Sequence, residues 1–169
     1  MTTAPGRRPH WLAFAALALA VVGVDQLTKA WITAALADRP VIEVVGDLVR
    51  LIYSKNSGAL FGILQDQAVV FAAVSVAVAV LIVVAHGRAG RSPYLTVTLG
   101  LLLGGWAGNF IDRVRLGYVI DFVDAGIGDL RFWTFNVADS CITISILLLL
   151  LLAYRPTLGA WRSGTDAAT

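Results

Sequence analysis

Long apolar runs alternate with short polar ones along this chain, and the apolar runs have the length of membrane-crossing helices. Residues 11–24 are almost wholly apolar, and a helix-compatible pattern continues through Asp25, Leu27 and Trp31, which predicts a first span at about 11–33. A signal-peptide core is only about 7–15 residues long, so Arg7, Arg8 and the small-residue stretch at 35–37 do not predict cleavage. Residues 68–85, interrupted only by Ser75, predict a second span, 94–112 a third, and the leucine-rich 136–154 a fourth.

Between the first two spans the period changes. Residues 41–45 and 48–53 are short β-branched runs split by Gly46 and Asp47, a hairpin pattern too short and too polar to span. The chain continues as Lys-Asn-Ser-Gly-Ala-Leu-Phe-Gly over 55–62, where Gly58 and Gly62 permit turns; the plainest reading of Asn56 is a loop residue. Residues 115–134 read as irregular, with Gly117, Gly126 and Gly128 among aromatic residues Tyr118, Phe122, Phe132 and Trp133 suited to an interface. In the third span Gly100, Gly104, Gly105 and Gly108 recur at helical spacing, which allows another helix to approach closely.

Composition agrees with this pattern: 58% of the 169 residues are hydrophobic and mean hydropathy is +0.79, which predicts an all-α polytopic membrane protein of a single domain. Four spans put both termini and the 86–93 loop on one side, where Arg7, Arg8, Arg88, Arg91, Arg155 and Arg162 face a single acid, Asp166. Basic residues collect in the cytoplasm, so both termini are expected there, with extracytoplasmic segments at about 34–67 and 113–135. The net charge of +2 comes from scattered arginines, which argues against nucleic acid. Cys141 is the sole cysteine, so an internal disulfide and Cys-His metal spacing are excluded, and it reads as a small buried apolar residue. His10 and His86 lie far along the chain from the acids, and no metal or cofactor is expected.

The candidate chemistry lies in carboxylates at the membrane edge, where an acid is costly unless it is paired or faces a polar cavity. Asp139 stands at the mouth of the fourth span; Asn136 three residues earlier makes it equally a helix-capping acid. Asp121 lies among Asp124 and Asp129, and spacing alone does not choose between these three or exclude a turn role for each. Asp25 and Lys29, four apart, share a helix face as an ion pair roughly 21 Å from Trp11. Asn109, Asp112 and Arg113 share another. Were Asp121 and Asp139 to meet, they would share a proton, one carboxylate activating a water and the other protonating a developing oxyanion.

Five stretches in this order resemble the lipoprotein signal peptidases (signal peptidase II), bacterial aspartic peptidases with four spans. They are Asp25-Gln-Leu-Thr-Lys29, Asn56-Ser-Gly-Ala-Leu-Phe-Gly62, Gly108-Asn-Phe-Ile-Asp-Arg113, Gly117-Tyr-Val-Ile-Asp-Phe122 and Phe135-Asn-Val-Ala-Asp139, spread over roughly residues 10–155. The resemblance implies that Asp121 and Asp139 are the catalytic dyad, and that Asn56, Asn109, Arg113 and Asn136 line or support the substrate site. Asp25, Lys29 and Asp112 are then supporting polar positions. It further implies an extracytoplasmic β-cradle at 41–62, a lid-like helix and loop at 114–134, and an active site facing outward from the bacterial cytoplasmic (inner) membrane. The implied substrate is a diacylglyceryl-modified prolipoprotein cleaved just before its lipidated cysteine; membrane lipid is the other partner, and a monomer is expected. Trp106, where the family has a small residue, and Lys55, where arginine is common, depart from the pattern. A small proton-coupled transporter and a non-enzymatic assembly factor are the competing classes. A transporter relay needs acids near mid-membrane and on both sides of it, whereas these gather at one side.

Overall fold

The computed structural model describes residues 9–38, 41–57, 68–89 and 92–158, with backbone alone over 68–74. Arg7, Arg8, Gly58, Gly62, Arg91, Arg162 and Asp166 lie outside the described residues. Four helices, α1 (Trp11–Leu36), α2 (Ala68–Ala89), α3 (Pro93–Leu116) and α4 (Val137–Tyr154), carry the apolar runs, and α1, α3 and α4 are each long and apolar enough to cross a membrane. The helix α3 is central and packs extensively on both α1 and α4 and less so on α2.

Glycine makes that centre possible. A Cβ on Gly104 would lie 2.6 Å from the Cβ of Val21 on α1, and one on Gly105 would lie 2.5 Å from the carbonyl oxygen of Ala138 on α4. Among helices in lipid, with little hydrophobic drive between them, such backbone approach is a main source of association. Trp106, beside these glycines, is accommodated by stacking on Phe110 with ring centroids 4.9 Å apart. At the far end from the acids, the buried His86 ring stacks on Phe14 at 4.1 Å and meets the edge of Trp11, behaving as an aromatic rather than a ligand.

The helices are joined by an antiparallel four-stranded sheet in the order β1-β2-β3-β4, which extends the small β-cradle expected at 41–62 by two further strands. The predicted hairpin is there as β1 (Ile42–Val45) and β2 (Val49–Asn56), turning through Gly46 at φ 47°. Residues 114–134, expected as a lid-like helix and loop, instead end α3 and then form β3 (Val119–Ile127) and β4 (Leu130–Arg131). Asp121 is therefore a mid-strand residue and not a turn acid. The physical reason is a strand buried on both faces, which lacks the apolar-polar alternation that betrays a half-exposed one. Gly117 makes the switch: at φ 80° it caps α3 in the left-handed conformation, its N–H donating to the Arg113 carbonyl, and the chain enters β3 two residues later.

Gly104→Val is expected to cost about 1–3 kcal/mol through overpacking, read as a lower unfolding midpoint in detergent. Gly23→Ala, with nothing within 4 Å of its added carbon, should leave the midpoint in place. Equal midpoints for the two variants would contradict the close α1–α3 contact.

Candidate active site

Lys29 is the charged centre on which the site is built. Its ammonium, 2% exposed, lies 2.8 Å from both Asp25 Oδ2 on its own helix and Asp112 Oδ2 on α3. Its third bond goes to Asn109 Oδ1 at 3.0 Å, so all three donors are used. The two carboxylates reach onward: Asp25 Oδ1 accepts from the Ala138 N–H at 3.0 Å, satisfying an otherwise orphan donor in the first turn of α4, and Asp112 Oδ2 accepts from Ile120 N–H at 3.2 Å. One buried ion triad thus ties α1, α3, α4 and β3 together. Gly108 leaves room for it, since a Cβ there would sit 2.5 Å from Asp25 Oδ2.

Above the triad three asparagines hold Asp121 and Asp139. Asn109 Oδ1 accepts from Lys29 and from Asn136 Nδ2 at 3.1 Å, which turns its amide so that Nδ2 donates to Asp139 Oδ1 at 2.7 Å. Asn136 is the N-cap of α4: its Oδ1 accepts from Asp139 N–H at 2.9 Å and its own N–H donates to Asp139 Oδ2 at 3.3 Å, a capping box. The Asn136 amide also donates to Asp121 Oδ1 at 2.7 Å, and Asn56 Nδ2 donates to Asp121 Oδ2 at 2.8 Å. Asn136 therefore touches both acids. Asp139 is thus a helix-capping acid, and the residue it caps with, Asn136, also holds Asp121.

Burial pushes the Asp121 carboxyl above its ordinary range; the amides of Asn56 and Asn136 and the charge of Lys29 oppose this, while the negative charge of Asp139 reinforces it. Of the sequence-derived candidates, Asn56, Asn109, Asn136, Asp25, Lys29 and Asp112 converge with the two acids. Arg113 does not: exposed, its guanidinium donates, among the described residues, to the Asn109 carbonyl one turn back at 3.3 Å and to neither acid. No group of His, Cys, Asp and Glu suited to a metal occurs among the described residues.

A family model described as signal peptidase (SPase) II matches residues 17–155. The chain belongs to that family. Among its relatives, the lipoprotein signal peptidase of Moorella thermoacetica is 41% identical over 138 residues, covering 80% of this chain and 89% of the relative. That of Streptococcus thermophilus is 39% identical over 145 residues, covering 84% and 92%. A solved structure described as a bacterial membrane enzyme, determined in meso at 1.9 Å, is 30% identical with TM-score 0.79 and covers 89% of this chain and 97% of its own. Another, at 2.3 Å, is 28% identical with TM-score 0.77, covering 96% and 99%. As a member of the signal peptidase II family, the chain is a membrane peptidase of the aspartic type.

Within this signal peptidase II chain, sequence reading passed over Gln26, whose amide donates to Asp112 Oδ1 at 2.9 Å and to the Gly108 carbonyl at 3.2 Å. Its signal was available: a carboxamide between Asp25 and Lys29 in an apolar helix asks for a partner. Also missed was an ionic cluster of Arg50, Arg131, Asp47 and Asp124, which only strand pairing brings together.

Lys29→Met should cost about 3–5 kcal/mol, because it strands two buried carboxylates. Detergent unfolding of the variant checks this, and a loss no larger than that of Gly23→Ala would overturn the triad's structural role.

Proposed function

We propose that this peptidase removes signal peptides from diacylglyceryl-modified prolipoproteins, cutting just before the lipidated cysteine, with Asp121 and Asp139 as its catalytic dyad. The observation that carries the assignment is Asn136, bonded to both acids and fixing them on one spot at the mouth of α4. Asp139, at the N-terminal end of a helix dipole and accepting N–H bonds at both oxygens, is suited to the ionised state. Asp121, with its carboxyl raised by burial, is suited to hold the shared proton.

The reaction follows from those states. Asp139 takes a proton from a water, whose oxygen forms a bond to the scissile carbonyl carbon. Asp121 gives its proton to the carbonyl oxygen as negative charge develops there. Collapse of the tetrahedral intermediate, with a proton passed to the amine nitrogen, breaks the C–N bond. Asn109 and Asn56 hold the carboxylates in orientation, and Lys29, Asp25 and Asp112 position Asn109, α4 and β3 behind them. Arg113, at the exposed rim, is assigned to substrate contact.

We read α1 to α4 as four spans of the bacterial inner membrane, with both termini cytoplasmic and the dyad at the outer face. In support, Asp112 and Asp139 stand near the ends of α3 and α4 that meet the sheet, Asp121 lies in the sheet itself, and Asp25, a little past the middle of α1, bonds to the first turn of α4, as access to a cysteine tethered in the outer leaflet requires. The proton-coupled transporter reading is disfavoured by the same one-sided grouping and by membership of a peptidase family.

Purified protein should cleave a diacylglyceryl-prolipoprotein, and Asp121→Asn and Asp139→Asn should each lower the rate by roughly 10²–10⁴-fold while staying folded. Chelator should have no effect. Retained cleavage by either variant would remove that aspartate from the dyad. In the pH profile of kcat/KM, the acid limb reports protonation of the ionised member and the alkaline limb loss of the Asp121 proton, so the alkaline limb should fall above the usual carboxylate range. Isotope-edited infrared titration showing Asp121 to ionise before Asp139 would reverse the two roles.

A further inference from the structure

The hairpin of β3 and β4, at the end of the sheet away from the dyad, is turned inside out. Ile127 pairs with Leu130 and Gly126 with Arg131, across a turn of Gly128 and Asp129, and Phe132 continues the pairing by donating its N–H to the Ala125 carbonyl at 2.7 Å. Successive strand residues point to opposite faces, so Ile127, Leu130 and Phe132 share one face while Asp124 and Arg131 share the other. The apolar face is the open one. Leu130 is 83% exposed and the adjoining Trp133 87%, with Ile127 and Phe132 exposed likewise, whereas the side chains of Arg131 and Asp124 are only 17% and 7% exposed.

On the closed face the charges neutralise one another. Asp124 accepts from Arg131 Nε at 3.0 Å and from Arg50 Nε at 2.9 Å, and Asp47 accepts from Arg131 Nη1 at 3.2 Å and from the Gly128 N–H at 2.6 Å. Two cations thus meet two anions, and Asp129, exposed at the turn, is the hairpin's one charge outside the cluster. Water favours the reverse arrangement, with apolar side chains inward and charges outward. Polar within and apolar without is the pattern of a sheet that faces lipid.

The position of the patch agrees. The Phe132 ring meets the edge of Phe135 with centroids 6.0 Å apart, and Phe135 directly precedes Asn136, the N-cap of α4. The apolar face therefore adjoins the start of a helix long and apolar enough to cross a membrane, of whose apolar window only 11% is buried within the protein. Tryptophan at such a place settles at headgroup depth. Side chains this far exposed form a ridge and not a cleft, which suits a surface better than a small ligand.

We propose that the apolar face of the β3–β4 hairpin, formed by Ile127, Leu130, Phe132 and Trp133, lies against the phospholipid of the leaflet in which α4 begins, with Asp129 at headgroup level. The inference rests on the reading of α4 as a span and not on the catalytic role of Asp121. By strand alternation Asp121 occupies the same face of β3 as Ile127, roughly 20 Å away along the strand. The lipid contact thus holds the strand that carries Asp121 at the membrane surface.

The test uses the full chain in phosphatidylcholine vesicles, with tryptophan emission quenched either by lipid bearing a nitroxide near the top of its acyl chain or by iodide in the water. The emission lost in Trp133→Phe should be quenched more by the nitroxide lipid than by iodide, as should the emission lost in Trp31→Phe, an exposed position on α1. The vesicles hold no prolipoprotein, so this quenching reports bilayer lipid and not a substrate's acyl chains. Leu130→Asp should reverse the order for Trp133 and move its emission to longer wavelength, leaving Trp31 as it was. Stronger quenching of Trp133 by iodide would place the face in water, and quenching by neither would place it under protein, such as a second copy of the chain. Either result overturns the proposal, as does a Trp133 emission unmoved by Leu130→Asp. If Trp31 also escapes the nitroxide, the span reading itself falls, and the place of the hairpin with it.

Discussion

A buried ammonium with two buried carboxylates is the constraint on which this molecule turns. Taken singly, each of Lys29, Asp25 and Asp112 would be expensive inside a membrane protein, and together they are tolerable only at close range with every remaining hydrogen-bonding position used. That demand is directional. Asp25 must find a donor on α4 and Asp112 one on β3, so the helix carrying Asp139 and the strand carrying Asp121 are drawn to one point for reasons of electrostatic satisfaction. The glycines of α3 are the steric counterpart, letting the backbones come near enough for short side chains to meet.

This explains why so polar an arrangement survives where a packed apolar core of equal volume would be at least as stable. Exchanging the triad for leucines would keep the helices together but would take the Lys29 donor from Asn109 Oδ1, leaving Asn136 as its one remaining donor and loosening the amide that faces Asp139. What the charges contribute is uniqueness of orientation. In the sheet, one extra residue of β2 between Leu51 and Ser54 sets which face Asn56 presents.

The helices were legible because an apolar run of span length has few other interpretations, and the β1–β2 hairpin because Gly46-Asp47 between β-branched runs is a strong local signal. The strand β3 was not. Val119, Ile120, Phe122 and Val123 interleave with Asp121 and Asp124 without the simple alternation of a half-exposed strand, and flanking glycines suggested a loop. Asp25, Lys29 and Asp112 announced themselves as charges in apolar surroundings, and spacing paired the first two. Their link to Asp112, the role of Gln26 and the Arg50–Asp124 pairing depend on contacts across more than seventy residues, which no local pattern encodes.

One feature of α4 bears on how the molecule fluctuates. The residue that starts the helix, Asn136, is also the bridge between the two acids, and the N–H groups of Ala138 and Asp139 are satisfied by Asp25 and by Asn136 itself. Helix ends ordinarily fray at little cost, opening locally without disturbing the rest. Here fraying of the first turn would release Asp25 from α4 and undo the Asn136 bridge in the same event. Amide exchange at Ala138 and Asp139 is therefore tied to the integrity of the site, and the first turn of α4 opens only as part of a larger cooperative unit that includes α1 and β3.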